Sequence, residues 1–205
     1  MKNVIKNLFA LSLLFGIGIT GVDARTELVE DEAQLRTIAD GLDTDITEIK
    51  LNNDITLTKY LEIYVGDREL TFDLAGHTLD CSDTSCQFIY GGVKSSSTTY
   101  YTTGSLTLTD SSNSNEGKII FNHYLDFEPI SGMTDKDTPK NYKLTIDGGT
   151  YIKKEFTGYT MHMITLFGYT GAVDGFNITV DFNLKNGTFI ADTDKNLYVF
   201  RTNPT

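Results

Sequence analysis

Short runs in which apolar residues alternate with threonine recur along this chain. Leu70-Thr71-Phe72-Asp73 returns as Leu106-Thr107-Leu108-Thr109, as Leu144-Thr145-Ile146-Asp147 and as Ile178-Thr179-Val180-Asp181, in steps of 36, 38 and 34 residues. A period of two is the mark of a strand with one face buried. Each run leads through a glycine to a second strand, Gly76-His77-Thr78-Leu79, Gly117-Lys118-Ile119-Ile120, Gly149-Thr150-Tyr151-Ile152 and Gly187-Thr188-Phe189-Ile190. Glycine takes backbone angles that a side chain forbids, so each marks a corner. A third apolar run closes each unit, at Phe88 to Tyr90, Phe127 to Ile130, Met163 to Phe167 and Leu197 to Phe200.

A unit of three short strands cannot bury its own apolar side chains and must be covered by the next copy. The pattern therefore predicts an all-β chain, a single-stranded right-handed parallel β-helix of about five coils. Its inward columns would be Leu70, Leu106, Leu144, Ile178 and Phe72, Leu108, Ile146, Val180, with Thr71, Thr107, Thr145 and Thr179 facing out. Ile49 to Leu51, Ile55 to Leu57 and Leu61 to Ile63 form a compact first coil. Later coils carry polar insertions, at Ser95 to Tyr101, Ser111 to Glu116, Gly132 to Asn141 and Gly168 to Gly175, where solenoids usually bind their partners.

Ahead of the repeats, Asp31 to Gly41 predicts a short amphipathic helix that caps the stack. Asp31 stands at its start with Gln34 three residues on, Leu35, Ile38, Ala39 and Leu42 share a face, and Gly41 ends it. Residues 1–24 read as a secretory signal peptide: Lys2 and Lys6 precede the apolar run Leu8 to Ile19, and Ala24 supplies a small residue for cleavage. The division is a signal peptide at 1–24, a cap with its helix at 25–46 and the β-helix at 47–205. After removal of the signal no apolar run could span a membrane.

The quoted stretches IKLNNDITLT, ELTFDLAGHTL, SLTLTDSS and KLTIDGGTY resemble the pectate-lyase-like β-helix repeats of bacterial secreted and surface proteins. The resemblance covers about residues 30 to 200. It implies the fold, whereas activity varies within it, since this scaffold serves lyases, hydrolases and adhesins alike.

Charge narrows the ligand. The net charge of −11 becomes about −12 once Lys2, Lys6 and Asp23 are removed with the signal, which argues against nucleic acid, anionic lipid and, without bridging calcium, anionic polysaccharide. Enzymes of this fold that cleave acidic sugars use clustered carboxylates near a cation. Asp73, Asp147 and Asp181 occupy one alignment position and are the candidates, yet turn-capping by aspartate explains them as well. Arg68 and Arg201 are the arginines of the repeat region, and His77, His123 and His162 lie in different units without metal-ligand spacing. The pairs Asp43/Asp45, Asp135/Asp137 and Asp192/Asp194 lack the glycine and distal glutamate of a calcium loop, so calcium is the weak candidate and no other cofactor is implied. Cys81 and Cys86, close together in an exported chain, predict a local disulfide.

These features favour a secreted or cell-surface binding and adhesion module over an enzyme, with polysaccharide, surface glycan or a host or matrix surface as its partner. The alternatives are a small polysaccharide lyase or glycoside hydrolase, and a structural fragment of a larger adhesin whose C-terminal coil pairs through its edge with another chain.

Overall fold

The computed structural model describes residues 24–90, 103–122, 125–129, 138–154, 162–166, 178–192 and 198–202. They form an all-β structure, a parallel sheet curled into a half-barrel, with one short helix. The strands are β1 (Arg25–Val29), β2 (Ile46–Leu51), β3 (Ile55–Thr56), β4 (Leu61–Gly66), β5 (Glu69–Asp73), β6 (Thr78–Cys81) and β7 (Cys86–Tyr90). They continue with β8 (Thr103–Thr109), β9 (Lys118–Phe121), β10 (Leu125–Pro129), β11 (Lys140–Lys154), β12 (His162–Leu166), β13 (Ile178–Asp192) and β14 (Tyr198–Thr202). The helix α1 (Glu32–Ile38) lies between β1 and β2.

Every strand pairing is parallel, and each strand pairs with the equivalent strand of the neighbouring repeat. First strands follow the order β1-β2-β5-β8-β11, second strands β3-β6-β9-β11, and third strands make a separate sheet, β4-β7-β10-β12-β14. The long strand β11 joins the first two sets, pairing with β8 through its first half and with β9 through its second. Between the halves, Gly148 and Gly149 turn the chain at φ +127° and +79°, and a Cβ on Gly149 would lie 2.8 Å from Leu74 Cδ1. The corner needs glycine for its angle and for its space.

Register stacks like on like. Leu70, Leu106 and Leu144 are mutual neighbours, as are Phe72, Leu108 and Ile146, and all six are fully buried. Thr71, Thr107 and Thr145 form the expected column on the opposite face. Third strands add a ladder of rings, with Phe88 stacked on Phe127 at 5.4 Å between centroids. Each such side chain taken from water contributes about 1.5–3 kcal/mol.

The last repeat departs from the sequence alignment. Phe182, not Ile178, is the neighbour of Leu144, and Ile178 lies beside Lys140, so the run Ile178 to Asp181 is displaced by four residues. A bulge between Ile146 and Asp147 then sets Asn186 opposite Asp147. Asp181 is consequently outside the aspartate column and pairs with Lys143. In the first repeat, too, Thr78 rather than His77 aligns with Lys118.

The helix forms where the sequence places it. Asp31 accepts from Gln34 N at 2.8 Å, Leu35 is buried, and Gly41 takes φ +69°. Leu42, expected on the buried face, is 57% exposed because the helix has already ended. Beyond expectation, β1 adds a strand ahead of β2, inside the segment read as a cap. The predicted signal peptide, and the insertions at Ser95 to Tyr101 and Gly168 to Gly175, lie outside the described residues.

The disulfide expected between Cys81 and Cys86 is absent, and both are buried free thiols. Each sits on the inward face of its own strand, where burial suits a small apolar side chain. Cys81 Sγ donates to Ile120 O at 3.0 Å instead, and burial pushes its pKa to about 12.

Candidate functional site

Two constellations of polar residues bridge the repeats. The first is the aspartate column. Asp73 ends β5 fully buried, where its Oδ1 accepts from Ala75 N at 2.9 Å and from Ser111 N at 2.8 Å. Its Oδ2 accepts from Ser111 Oγ at 2.5 Å and meets Lys50 Nζ at 2.9 Å. Burial alone would raise its pKa, but the hydrogen bonds from Ser111, Lys50 and Ala75 outweigh this and hold it below the usual carboxylate value. With every lone pair engaged, Asp73 fastens its own turn to the neighbouring repeats.

Asp110, one step past the aligned Thr109, does the same: it accepts from Gly76 N and Gly117 N, both at 2.8 Å. A Cβ at Gly117 would lie 2.6 Å from Leu74 Cβ and 2.7 Å from Asp110 Cγ, so this carboxylate is received only by glycine. Asp147 is more open and binds Lys185 Nζ at 3.2 Å and Asn186 Nδ2 at 2.8 Å, which lower its pKa. Asp181 joins none of these. Of the candidate catalytic set, Asp73 and Asp147 are aligned in one column through Thr109, and Asp181 stands apart from it.

The cations near the column are likewise committed to structure. Arg68 is buried and donates to Val65 O, Asp43 O, Ile46 O and Tyr64 O at 2.7–3.0 Å. His77 faces Asp54 at 3.5 Å, His123 lies outside the described residues, and His162 is described as a strand residue of β12. Asp43 pairs with Arg25 at 2.6 Å and caps its own turn by accepting from Asp45 N at 3.2 Å. Asp192 pairs with Lys154 at 2.9 Å, while Asp135, Asp137 and Asp194 lie outside the described residues. Among the described residues no group of three or more histidines, cysteines and carboxylates could hold a metal ion.

The second constellation was not foreseen from the sequence. On the third-strand sheet the outward positions of successive strands are Glu62, Gln87, Asp126 and Thr165, each the pairing neighbour of the next. Tyr64 donates its hydroxyl to Glu62 Oε2 at 3.0 Å, and the Tyr60 hydroxyl is shared between Glu62 Oε1 at 3.1 Å and Gln87 Oε1. Gln87 Nε2 then donates to Asp126 Oδ2 at 2.8 Å. Five side chains thus form one hydrogen-bonded chain across three strands.

The two ends of this chain differ in character. Tyr60, Glu62, Tyr64 and Gln87 meet solvent, with Tyr60 43% exposed. Asp126 is 1% exposed and Oδ1 makes no hydrogen bond, as is also true of the buried Thr165 hydroxyl beside it. Burial pushes the Asp126 pKa up to about 6, with the amide of Gln87 drawing it back only in part. Burial and Glu62 raise Tyr64 to about 12, so its hydroxyl keeps its proton and donates. Chemically this is a row of fixed acceptors and a fixed amide flanked by two aromatic rings. Its one raised carboxyl, Asp126, is buried beside Gln87 on the next strand.

The signal for this row was present in the sequence. Aligning the third strands on Phe88, Phe127 and Leu166 sets Gln87, Asp126 and Thr165 in one column, but the residue type changes at each step and so does not read as a repeat.

Residues 29–158 match the family model described as "Putative pectate lyase-like adhesive domain". The matched span contains α1, the aspartate column as far as Asp147, and the hydrogen-bonded row from Tyr60 to Asp126. No curated protein and no solved structure matches the chain.

Proposed function

Because the chain belongs to the family of pectate lyase-like adhesive domains, we propose that it is an adhesion module that holds an uncharged polysaccharide or surface glycan without cleaving it. The observation that carries this reading is the row Tyr60, Glu62, Tyr64 and Gln87. Sugars are bound by fixed hydrogen-bonding groups that match their hydroxyls and by aromatic faces that cover their C–H faces. Asp126 acts as a positioning residue: from the neighbouring strand it fixes which way the Gln87 amide points.

The charge of the chain, −11, and the carboxylates of the row disfavour an anionic glycan. Catalysis is disfavoured by the geometry of the aspartates, since Asp73 has no free lone pair and Asp181 stands apart. A cell-surface or secreted location follows from the adhesive role, and no helix among the described residues is long and apolar enough to cross a membrane. The parallel rows of like residues support a right-handed β-helix scaffold, in which β11 and β13 each run through two faces of one coil.

An array of neutral and acidic glycans probed with the full chain tests the proposal. Retention of neutral glycans supports it, and retention of acidic glycans alone, dependent on added calcium, contradicts it.

A further inference from the structure

The two ends of the strand stack are finished differently. At the first end β1 is the edge of the first row, and α1 covers the start of the second and third rows: Glu32 accepts from Thr58 N at 3.1 Å and from Thr58 Oγ1 at 2.9 Å. Arg36 donates to Lys59 O at 2.6 Å and Tyr60 O at 3.0 Å, and Ala39 O accepts from Tyr64 N at 2.8 Å. Backbone groups of Thr58, Lys59, Tyr60 and Tyr64 are thereby satisfied, and Leu35 and Ala39 close the core beneath the helix. This is how a stack avoids edge-to-edge association.

The other end lacks such a cover among the described residues. The strand β13, fifteen residues long, pairs with β11 alone, and β14 pairs with β12 alone. Inward positions that are fully buried one row earlier, Leu144 and Ile146, become the half-buried Phe182 and the 45% exposed Leu184. Phe182, Phe189 and Phe200 make a floor of three rings, with Phe200 at 4.9 Å from Phe182 and 5.5 Å from Phe189. An open backbone edge beside an uncovered apolar floor invites another strand.

The charges along β13 say which strand. From Ile178 to Asn186 its charged residues are Asp181 and Lys185, both exposed and both on the outward face, flanking the inward Phe182 and Leu184, with Lys185 also meeting Asp147 of β11 at 3.2 Å. In an antiparallel pair, directly opposed residues share a face, so inward must meet inward. A two-fold pairing of β13 with itself satisfies this when centred on a residue. Centred on Asp181 or Lys185, it would set like charges against each other. Centred on Asn183, it sets Asp181 opposite Lys185 of the second copy, and by symmetry does so twice. The same register lays Phe182 against Leu184 of the second copy.

We propose that β13 is a self-association edge, and that two copies of this chain join end to end through an antiparallel β13 pair centred on Asn183. An adhesion module joined in this way carries its two polar rows on one continuous assembly, so that glycan attachment gains from two-point binding.

Charge exchange tests both the partner and the register. Sedimentation equilibrium of the full chain should show a reversible dimer. Asp181→Lys and Lys185→Asp should each weaken it by roughly tenfold, because each sets like charges opposite one another twice. Mixing the two variants restores every opposite-charge pair, so the mixture should form a heterodimer at least as tight as the parent dimer. Circular dichroism melts establish that both variants fold, and the doubly exchanged chain, Asp181→Lys with Lys185→Asp, should dimerise like the parent. A chain monomeric at all concentrations overturns the proposal. So does a dimer that the single exchanges leave unchanged, or one that mixing fails to restore.

Discussion

Asp73 accepts two hydrogen bonds from Ser111, at 2.8 Å from the backbone N–H and 2.5 Å from the hydroxyl, although 38 residues separate them. One carboxylate thus ties two repeats together at a corner of the stack. Replacing it with alanine leaves the part-buried N–H groups of Ser111 and Ala75 without their acceptor and the Lys50 ammonium with the Ser111 hydroxyl alone. Asp73→Ala should therefore destabilise the fold by about 2–4 kcal/mol, read from urea unfolding.

The same carboxylate predicts a pH dependence. Its folded pKa lies below its unfolded value, so its contribution is complete above about pH 4 and is lost as pH falls through the folded pKa. The parent chain should lose stability below about pH 4, and Asp73→Ala should lose less over that interval. Unfolding curves collected from neutral to acid pH check this.

Asp126 has the opposite sign. Its pKa is raised to about 6, so the folded state holds a proton that the unfolded state has released between about pH 4 and pH 6, and stability falls as pH rises across that window. Asp126→Asn removes the buried charge and keeps the shape. It should raise stability at pH 7 by up to about 3 kcal/mol and change it little at pH 4. Thermal melts at the two pH values distinguish this from a uniform effect.

The cysteines carry a chemical prediction. Both thiols are buried, and burial raises their pKa, that of Cys81 to about 12. Alkylating reagents should leave the folded chain unmodified and label two thiols once it is unfolded without reductant, as judged by mass. A reductant should leave the melting temperature unchanged, because there is no bridge to cut.

Much of the fold was legible because stacking repeats the same residue types: Leu70, Leu106 and Leu144 announce their column, and Asp31 announces the helix. The last repeat misled because Ile178-Thr179-Val180-Asp181 copies the local pattern better than Phe182-Asn183-Leu184 does. Covering Leu144 and Ile146 decides the register, and Phe182 and Leu184 do this at the end of the stack. Local likeness lost to packing. The cysteines misled for a related reason: closeness in sequence suggested a bridge, while strand alternation turned both side chains into the core. The polar row was hidden because Glu62, Gln87, Asp126 and Thr165 share a position and not a residue type.

Attachment without cleavage is tested most directly by incubating the full chain with an immobilised neutral polysaccharide, following retained protein and released sugar together. Retention with no released sugar is expected, reduced about tenfold or more by Tyr60→Ala and Glu62→Gln and unchanged by Asp147→Ala, consistent with a few side chains carrying most of the binding energy. Sugar release that Asp147→Ala abolishes would make the chain an enzyme and contradict the account, as would retention indifferent to Tyr60 and Glu62.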